Sequence, residues 1–331
     1  MHYLFSILEV DGRSAGAYPH AMRFPVLLMI LSTLLSGCFG FFETPVARRG
    51  LTSEEIATQQ REAEASESLV QAVQLFHNGG YLDEQAVQEL LDKAVRLDPT
   101  LTDAWYQRAV LFLQQKKWNE AYSDLKEVIR LDPKHERAQH AYGFILFHRG
   151  AYRDSITAFD AALAGNNFMP HTWALRGAAY AQLGKNQEAL RNLTEAIAYN
   201  PAHRDAYFNR GLVYARLGEY KEAIHDLTQA LSLDANAVET LKARALIYVK
   251  TEQYELAFID YNRAIVLDPY SSQTASLLAE AYGAAGKYSE AEGAAHRAML
   301  LARDEGNEAM SKQYADRADA FAAMGETPPS P

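Results

Sequence analysis

Cysteine is almost missing from this chain. One residue among 331 excludes an internal disulfide and any cysteine-based metal cluster. Tryptophan is scarce too, with three residues against nineteen tyrosines. There is no long basic run, and 32 Lys and Arg against 42 Asp and Glu leave a formal charge of −10. Nucleic-acid affinity comes largely from neutralised phosphates, so this balance excludes a general nucleic-acid binder. Apolar side chains are plentiful. At 48% of the residues they exceed what a disordered chain carries and suffice for a large core.

Charge is absent over one stretch. Residues 24–42 read FPVLLMILSTLLSGCFGFF, nineteen residues at the boundary between a signal peptide and a spanning helix. Glu9 and Asp11 do not suit a basic signal n-region, so Met22-Arg23 is the expected start, with a signal segment over 1–37. The run ends in Leu35-Ser36-Gly37-Cys38, which resembles the lipobox of bacterial lipoproteins. The resemblance implies a diacylglyceryl group on the Cys38 sulfur, cleavage before it, and acyl chains of the palmitate kind as membrane anchor. Each buried methylene adds about 0.8 kcal/mol to such an anchor. Phe39 rather than Asp follows the cysteine, which in the resembling proteins implies the outer membrane, facing the periplasm. The alternative is an uncleaved inner-membrane signal anchor. Residues 38–67 are expected to be the lipidated amino end and a linker or helix. Thr52 and Glu55 within it stand at capping-box spacing.

Beyond this, the sequence repeats. Pro99, Pro133, Pro201 and Pro269 differ by multiples of 34, and each follows Asp or Asn. With the proline as position 32, six gapless units fill 102–305. Position 8 is small (Ala109, Gly143, Gly177, Gly211, Ala245, Ala279). Position 11 is large, position 17 mostly aromatic and position 20 small. Gly150, Gly184, Gly218 and Gly286 recur at position 15, where the chain must turn. Nine of the nineteen tyrosines fall at positions 4, 11 and 17.

These columns resemble the tetratricopeptide (TPR) repeat. The resemblance implies an all-α fold of antiparallel helix pairs stacked into a right-handed solenoid. One pair cannot bury its apolar face alone, so neighbours must stack. A degenerate unit is expected over 68–101, its first helix near 66–77. A capping helix is expected over 306–325 and a tail over 326–331.

Arg108, Arg176, Arg210 and Arg244 stand at position 7, which is usually apolar in the family. In the same units position 23 is Asp124, Asn192, Asp226 and Asp260. Where the arginine is replaced by Tyr142 or Leu278, position 23 is Ala158 or Ala294. Joint presence and joint loss predict a structural bond between paired helices rather than a ligand ladder.

The family resemblance also implies that the first helices line a concave groove. The candidate groove residues are Tyr106, Val110, Leu113, Arg137, His140, Phe144, Phe147, Ala174, Ala178, Phe208, Leu212, Arg216, Lys242 and Leu246. Several are apolar where the family is polar. The alanines, flanked by Phe144 and Phe147 on one side and Phe208 and Leu212 on the other, predict a hollow for an apolar segment of a partner protein. Arg137, Arg216, Lys242 and Lys250 would select acidic flanks. The chain's own amino end or a second copy are the competing occupants. Asn209 matches one residue of the family's carboxylate clamp, but Ala174, Ala178, Glu239 and Ala243 stand at its other positions, so chaperone carboxyl-termini are not implied.

Catalytic motifs are missing. His135 and His140 are five residues apart, hence about 140° apart on a helix, and cannot clasp one metal from a common face. Gly283-Ala-Ala-Gly286-Lys287 lacks the spacing and the hydroxyl of a phosphate loop. No enzyme, cofactor or metal is expected; a metal-dependent enzyme using the groove histidines is the remote alternative. The expected function is a membrane-anchored periplasmic scaffold in envelope biogenesis. Lipobox plus repeats is similar to NlpI-type adaptor lipoproteins, and alternatively to pilotin-type lipoproteins of pilus or secretion machinery.

Overall fold

The computed structural model describes residues 52–77, 80–81 and 83–326. Cys38, the apolar run around it and the signal segment expected over 1–37 lie outside the described residues, as do 327–331. Among the described residues no helix is long and apolar enough to cross a membrane.

The fold is all-α, as the repeat resemblance implies, apart from one two-residue antiparallel pair. Helix α1 (Ser53–Gln74) is followed by β1 (Phe76–His77) and β2 (Gly80–Tyr81), with Phe76 in register with Tyr81. Then come α2 (Glu84–Leu97), α3 (Thr102–Gln114), α4 (Trp118–Leu131), α5 (Glu136–His148), α6 (Tyr152–Gly165) and α7 (Pro170–Gln182). The series continues with α8 (Asn186–Tyr199), α9 (Arg204–Leu217), α10 (Tyr220–Leu233), α11 (Val238–Lys250) and α12 (Tyr254–Leu267). It closes with α13 (Ser272–Ala284), α14 (Tyr288–Asp304) and α15 (Glu308–Glu326).

The first helix starts at a capping box. Thr52 Oγ1 accepts from the Glu55 N–H at 3.2 Å, and Glu55 Oε2 accepts from the Thr52 N–H at 2.6 Å. These bonds satisfy two donors that a helix start otherwise leaves open. They set the helix running from Ser53, where the capping-box spacing places a helix start, and it continues without a break to Gln74, through most of the 66–77 expected for the degenerate unit's first helix. Its buried Ala65, Ser68 and Ala72 show which face packs, and Ala72 joins Val87 and Leu91 of α2 in one cluster.

Each repeat column has a mechanical cause. At position 31 the carboxylate or amide oxygen folds back on the chain two residues on. Asp98, Asp132, Asn166, Asn200 and Asp234 accept from the N–H of Thr100, Lys134, Phe168, Ala202 and Asn236 at 2.9–3.0 Å. This Asx turn ends the second helix of each of those units and aims the chain at the next. At position 15 the backbone is left-handed. Gly150, Gly184, Gly218 and Gly286 have φ of 74–80°, and in the two other units Lys116 and Glu252 are held at φ 59°. Position 8 is small because the paired helix is too close for more. A Cβ on Gly177 would lie 2.8 Å from Leu193 Cγ, and one on Gly211 3.0 Å from Leu227 Cγ.

The chain divides into two compact units within α5, one ending at Ile145 and the other beginning at Leu146. The core of the first unit gathers Tyr106, Val110, Leu113, Leu125, Val128 and Ile145. In the second unit, Leu193 and Val213 lie in one cluster, Leu227 and Ile247 in another, and Phe258, Tyr261 and Leu278 in a third. The last helix closes this unit. Phe321 of α15 is fully buried against α13, where a Cβ on Gly283 would come within 2.3 Å of its ring. Arg317 clasps Glu280 with two bonds of 2.7 and 2.5 Å beside it.

Candidate functional site

The position-7 arginines fix the first helices that carry the candidate groove. Arg108 donates to both carboxylate oxygens of Asp124 at 2.8 and 2.9 Å, Arg210 to Asp226 at 2.7 and 2.9 Å, and Arg244 to Asp260 at 2.8 Å twice. Arg176 donates once to the Asn192 amide oxygen at 2.7 Å. The column is structural, as its joint presence and loss predict. The bond from Asp226 outweighs burial and holds the Arg210 guanidinium above its ordinary value; Asp260 does the same for Arg244.

A third partner was not foreseen. The free end of each guanidinium reaches back to the preceding unit: Arg108 to Asp92 at 2.7 Å, Arg176 to Asp160, Arg210 to Thr194 at 3.1 Å and Arg244 to Thr228 at 2.9 Å. All four acceptors hold repeat position 25. Each arginine thus ties its own helix to both flanking second helices, sixteen residues back and sixteen ahead. The signal was present in the sequence, since the unit before Tyr142 carries Lys126 at position 25, a donor that cannot accept from a guanidinium. Tyr142 instead meets the Tyr122 hydroxyl at 3.1 Å, with stacked rings.

The candidate groove residues divide sharply by burial. In the first unit Leu113 and Phe144 are 1% and 2% exposed, and Tyr106, Val110 and His140 are buried as well. Burial pushes the Tyr106 hydroxyl up to about 12, and its ring leans on His135 at 4.7 Å. Of that unit's candidates only Arg137 is exposed. These side chains are core, because the stacked neighbour covers the positions a lone helix pair would leave open.

In the second unit Ala174 and Ala178 are buried and Phe147 is half-buried against Tyr152. Ala174 belongs to the packing of α7 with Leu193, Ala206 and Val213, so it is not the floor of an open hollow. Phe208 and Leu212 of α9 remain half-buried, and Leu246 of α11 is exposed. These three, with Ala215, form the accessible apolar row.

The cations beside them are largely engaged. Arg216 donates to the Ala181 carbonyl at 2.6 Å and lies 3.4 Å from the Asn186 amide oxygen, which satisfies the carboxyl end of α7. Lys242 bonds Glu239 at 2.8 Å and Gln273 at 3.2 Å, and its side chain is only 10% exposed. Sequence spacing showed the charges but not these internal acceptors.

Two of the histidines serve as helix caps. His135 Nδ1 accepts from the Ala138 N–H at 3.2 Å, and His203 Nδ1 from the Ala206 N–H at 3.3 Å. Among the described residues no three His, Cys, Asp or Glu side chains converge as a metal would require.

The fold defines a class: a helix-turn-helix repeat protein. Residues 102–135, 175–235 and 217–272 match models of the tetratricopeptide repeat. The repeats are therefore tetratricopeptide repeats, units that bind other proteins or peptides. A curated relative, small glutamine-rich tetratricopeptide repeat-containing protein 2 of Mycosarcoma maydis, is 30% identical over 100 residues, 29% of this chain. The chain spans 28% of that relative's length. Among solved structures, the Cut9–Hcn1 hetero-tetramer of APC/C is similar with a TM-score of 0.59 at 17% identity, over 80% of this chain and 54% of that one. Pseudomonas aeruginosa pilF is similar with a TM-score of 0.55 at 18% identity, over 66% and 98%. A tetratricopeptide repeat protein from Parabacteroides merdae ATCC 43184 gives 0.50 at 18% identity, over 68% and 96%. At these identities the likenesses concern the fold alone.

Proposed function

We propose that the chain is a protein-interaction scaffold that holds a short apolar segment of a partner on the first helices α9 and α11. One observation carries this reading: Phe208, Leu212 and Leu246 stay accessible at positions where the repeat family presents polar side chains. Apolar anchors on such a face supply most of the binding energy, and charged neighbours set the register. Lys250, which is exposed, is better placed to meet an acidic flank than the engaged Lys242 and Arg216. Crosslinking in intact cells followed by mass spectrometry identifies the partner. Leu246→Asp with Phe208→Asp is expected to abolish its co-purification. The exposed Leu246→Asp alone reports the same loss without disturbing packing. Unchanged capture by both variants sinks the reading.

The scaffold is proposed to sit in the bacterial cell envelope as a lipoprotein anchored through Cys38, on the periplasmic side of the outer membrane, serving envelope biogenesis. Its support is the Leu-Ser-Gly-Cys ending of the uncharged run and the single cysteine at that one place. An assembly role of the pilotin type is the alternative. Cys38→Ser is expected to leave the protein unlipidated, either released or with its signal uncleaved, as the mass of the amino-terminal peptide reads. An unmodified Cys38 in the membrane-bound wild type overturns the anchor.

A further inference from the structure

The outer face of α12 differs from that of every other second helix in the regular repeats. Repeat positions 19, 22 and 29 face solvent or its edge in all six units. Position 19 is acidic in five of them: Glu120, Asp154, Glu188, Glu222 and Glu290. In α12 it is Leu256. Position 22 is Ile259 there, against Ser123, Thr157, Arg191, His225 and Gly293 elsewhere. Position 29 is Val266. These side chains are 43%, 63% and 79% exposed, and Leu267 and Tyr270 extend the same patch. At 100° per residue Leu256, Ile259, Val266 and Leu267 fall within a stripe about 100° wide, with Arg263 in its middle. This face points away from the first-helix row, so the proposed scaffold function does not use it.

We propose that this stripe is the contact between two copies of the chain, paired antiparallel about a two-fold axis that crosses the exposed face of the helix at the level of residue 261. The pattern is complementary to itself. With Leu256 opposite Val266 of the second copy, Ile259 falls opposite Arg263, so the one cation in the stripe never faces its twin. The Arg263 stem then lies along the apolar Ile259, and its guanidinium extends toward the rim of the second helix, where Glu255 is exposed and also accepts from Lys287 at 2.9 Å. No carboxylate lies within the stripe to be buried, whereas each of the other units carries one at position 19. A closed two-fold pairing uses one patch twice and leaves no open edge for fibres.

The size of the face sets the strength. A helix of fourteen residues is about 21 Å long. Two such stripes bury less than about 1,200 Å² in total, the range of reversible rather than permanent pairs. A dimer of this size exchanges reversibly with monomer.

Sedimentation of the full chain in mild detergent across a concentration series tests this. Wild type is expected to pass from monomer to dimer. Leu256→Glu with Val266→Glu, which sets acid against acid across the two copies, is expected to weaken association by at least about tenfold. Both sites are exposed, so the helical signal and melting temperature of the variant should stay at wild-type values. Register is read by mixing Leu256→Cys and Val266→Cys chains in a Cys38→Ser background. That mixture should form a disulfide-linked dimer. Leu256→Cys chains alone should not, since their thiols would sit about 15 Å apart along the helix. A wild type that stays monomeric overturns the proposal, whether the face then binds another protein or a lipid surface. So does a dimer that the double glutamate variant leaves intact.

Discussion

Arg210 and Asp226 are joined by two nearly parallel hydrogen bonds, from Nε at 2.7 Å and from Nη2 at 2.9 Å, across the paired helices α9 and α10. The aspartate is 1% exposed, and the two residues lie sixteen positions apart within one unit. Cutting one partner leaves the other charge buried, which typically costs about 3–5 kcal/mol. Arg210→Ala is expected to lower the melting temperature strongly. Arg210→Ala with Asp226→Ala should cost clearly less than the sum of the two singles, because the double variant strands no charge. Thr194→Val removes only the third bond, from the guanidinium to an exposed hydroxyl, and should cost about 1 kcal/mol. Thermal melts of the four chains decide it, and additive losses would contradict the pairing.

His203 makes stability depend on pH. It caps α9 and is buried, and burial together with the nearby His171 ring at 4.5 Å holds its imidazole down at about 4. In the unfolded chain the same group takes a proton near 6.5. Between these values the unfolded state binds a proton that the folded state refuses, so stability rises with pH. The contribution is full above about 6.5 and is lost as pH falls toward about 4. At pH 5 the loss is on the order of 2 kcal/mol. His203→Asn keeps a capping acceptor without the titration. Its melting temperature should fall less than that of wild type between pH 7.5 and pH 5, and parallel falls would contradict this.

The left-handed turn residues predict opposite effects from two small changes. Gly218 has φ 80°, where a Cβ costs about 1–2 kcal/mol, so Gly218→Ala should lower the melting temperature. Glu252 already bears that strain at φ 59°. Glu252→Gly should raise the melting temperature or leave it level, since relief of strain offsets the added freedom of the unfolded chain. A clear fall on Glu252→Gly would show that its side chain holds the turn by other means.

The sequence by itself determined the helical repeat, its period and its internal bond. A period of 34 with small residues at fixed places admits one way to pack a helix on its partner. The arginine pairing was legible because its two residues vanish together, within one unit and sixteen positions apart. What crosses from unit to unit was not legible in the same way. The backward reach to Asp92, Asp160, Thr194 and Thr228 depends on how units stack. So does the burial of Leu113 and Phe144, side chains that a single helix pair would offer to solvent. Arg216 and Lys242 read as free charges until the structure brought the Ala181 carbonyl and Glu239 to them. Conversely, Leu256, Ile259 and Val266 read as ordinary apolar residues until their helix was seen with that face outward. Periodicity fixes which residues share a helix face; only the stacking of neighbours decides which faces are covered, because burial belongs to the pair of surfaces and not to either sequence segment alone.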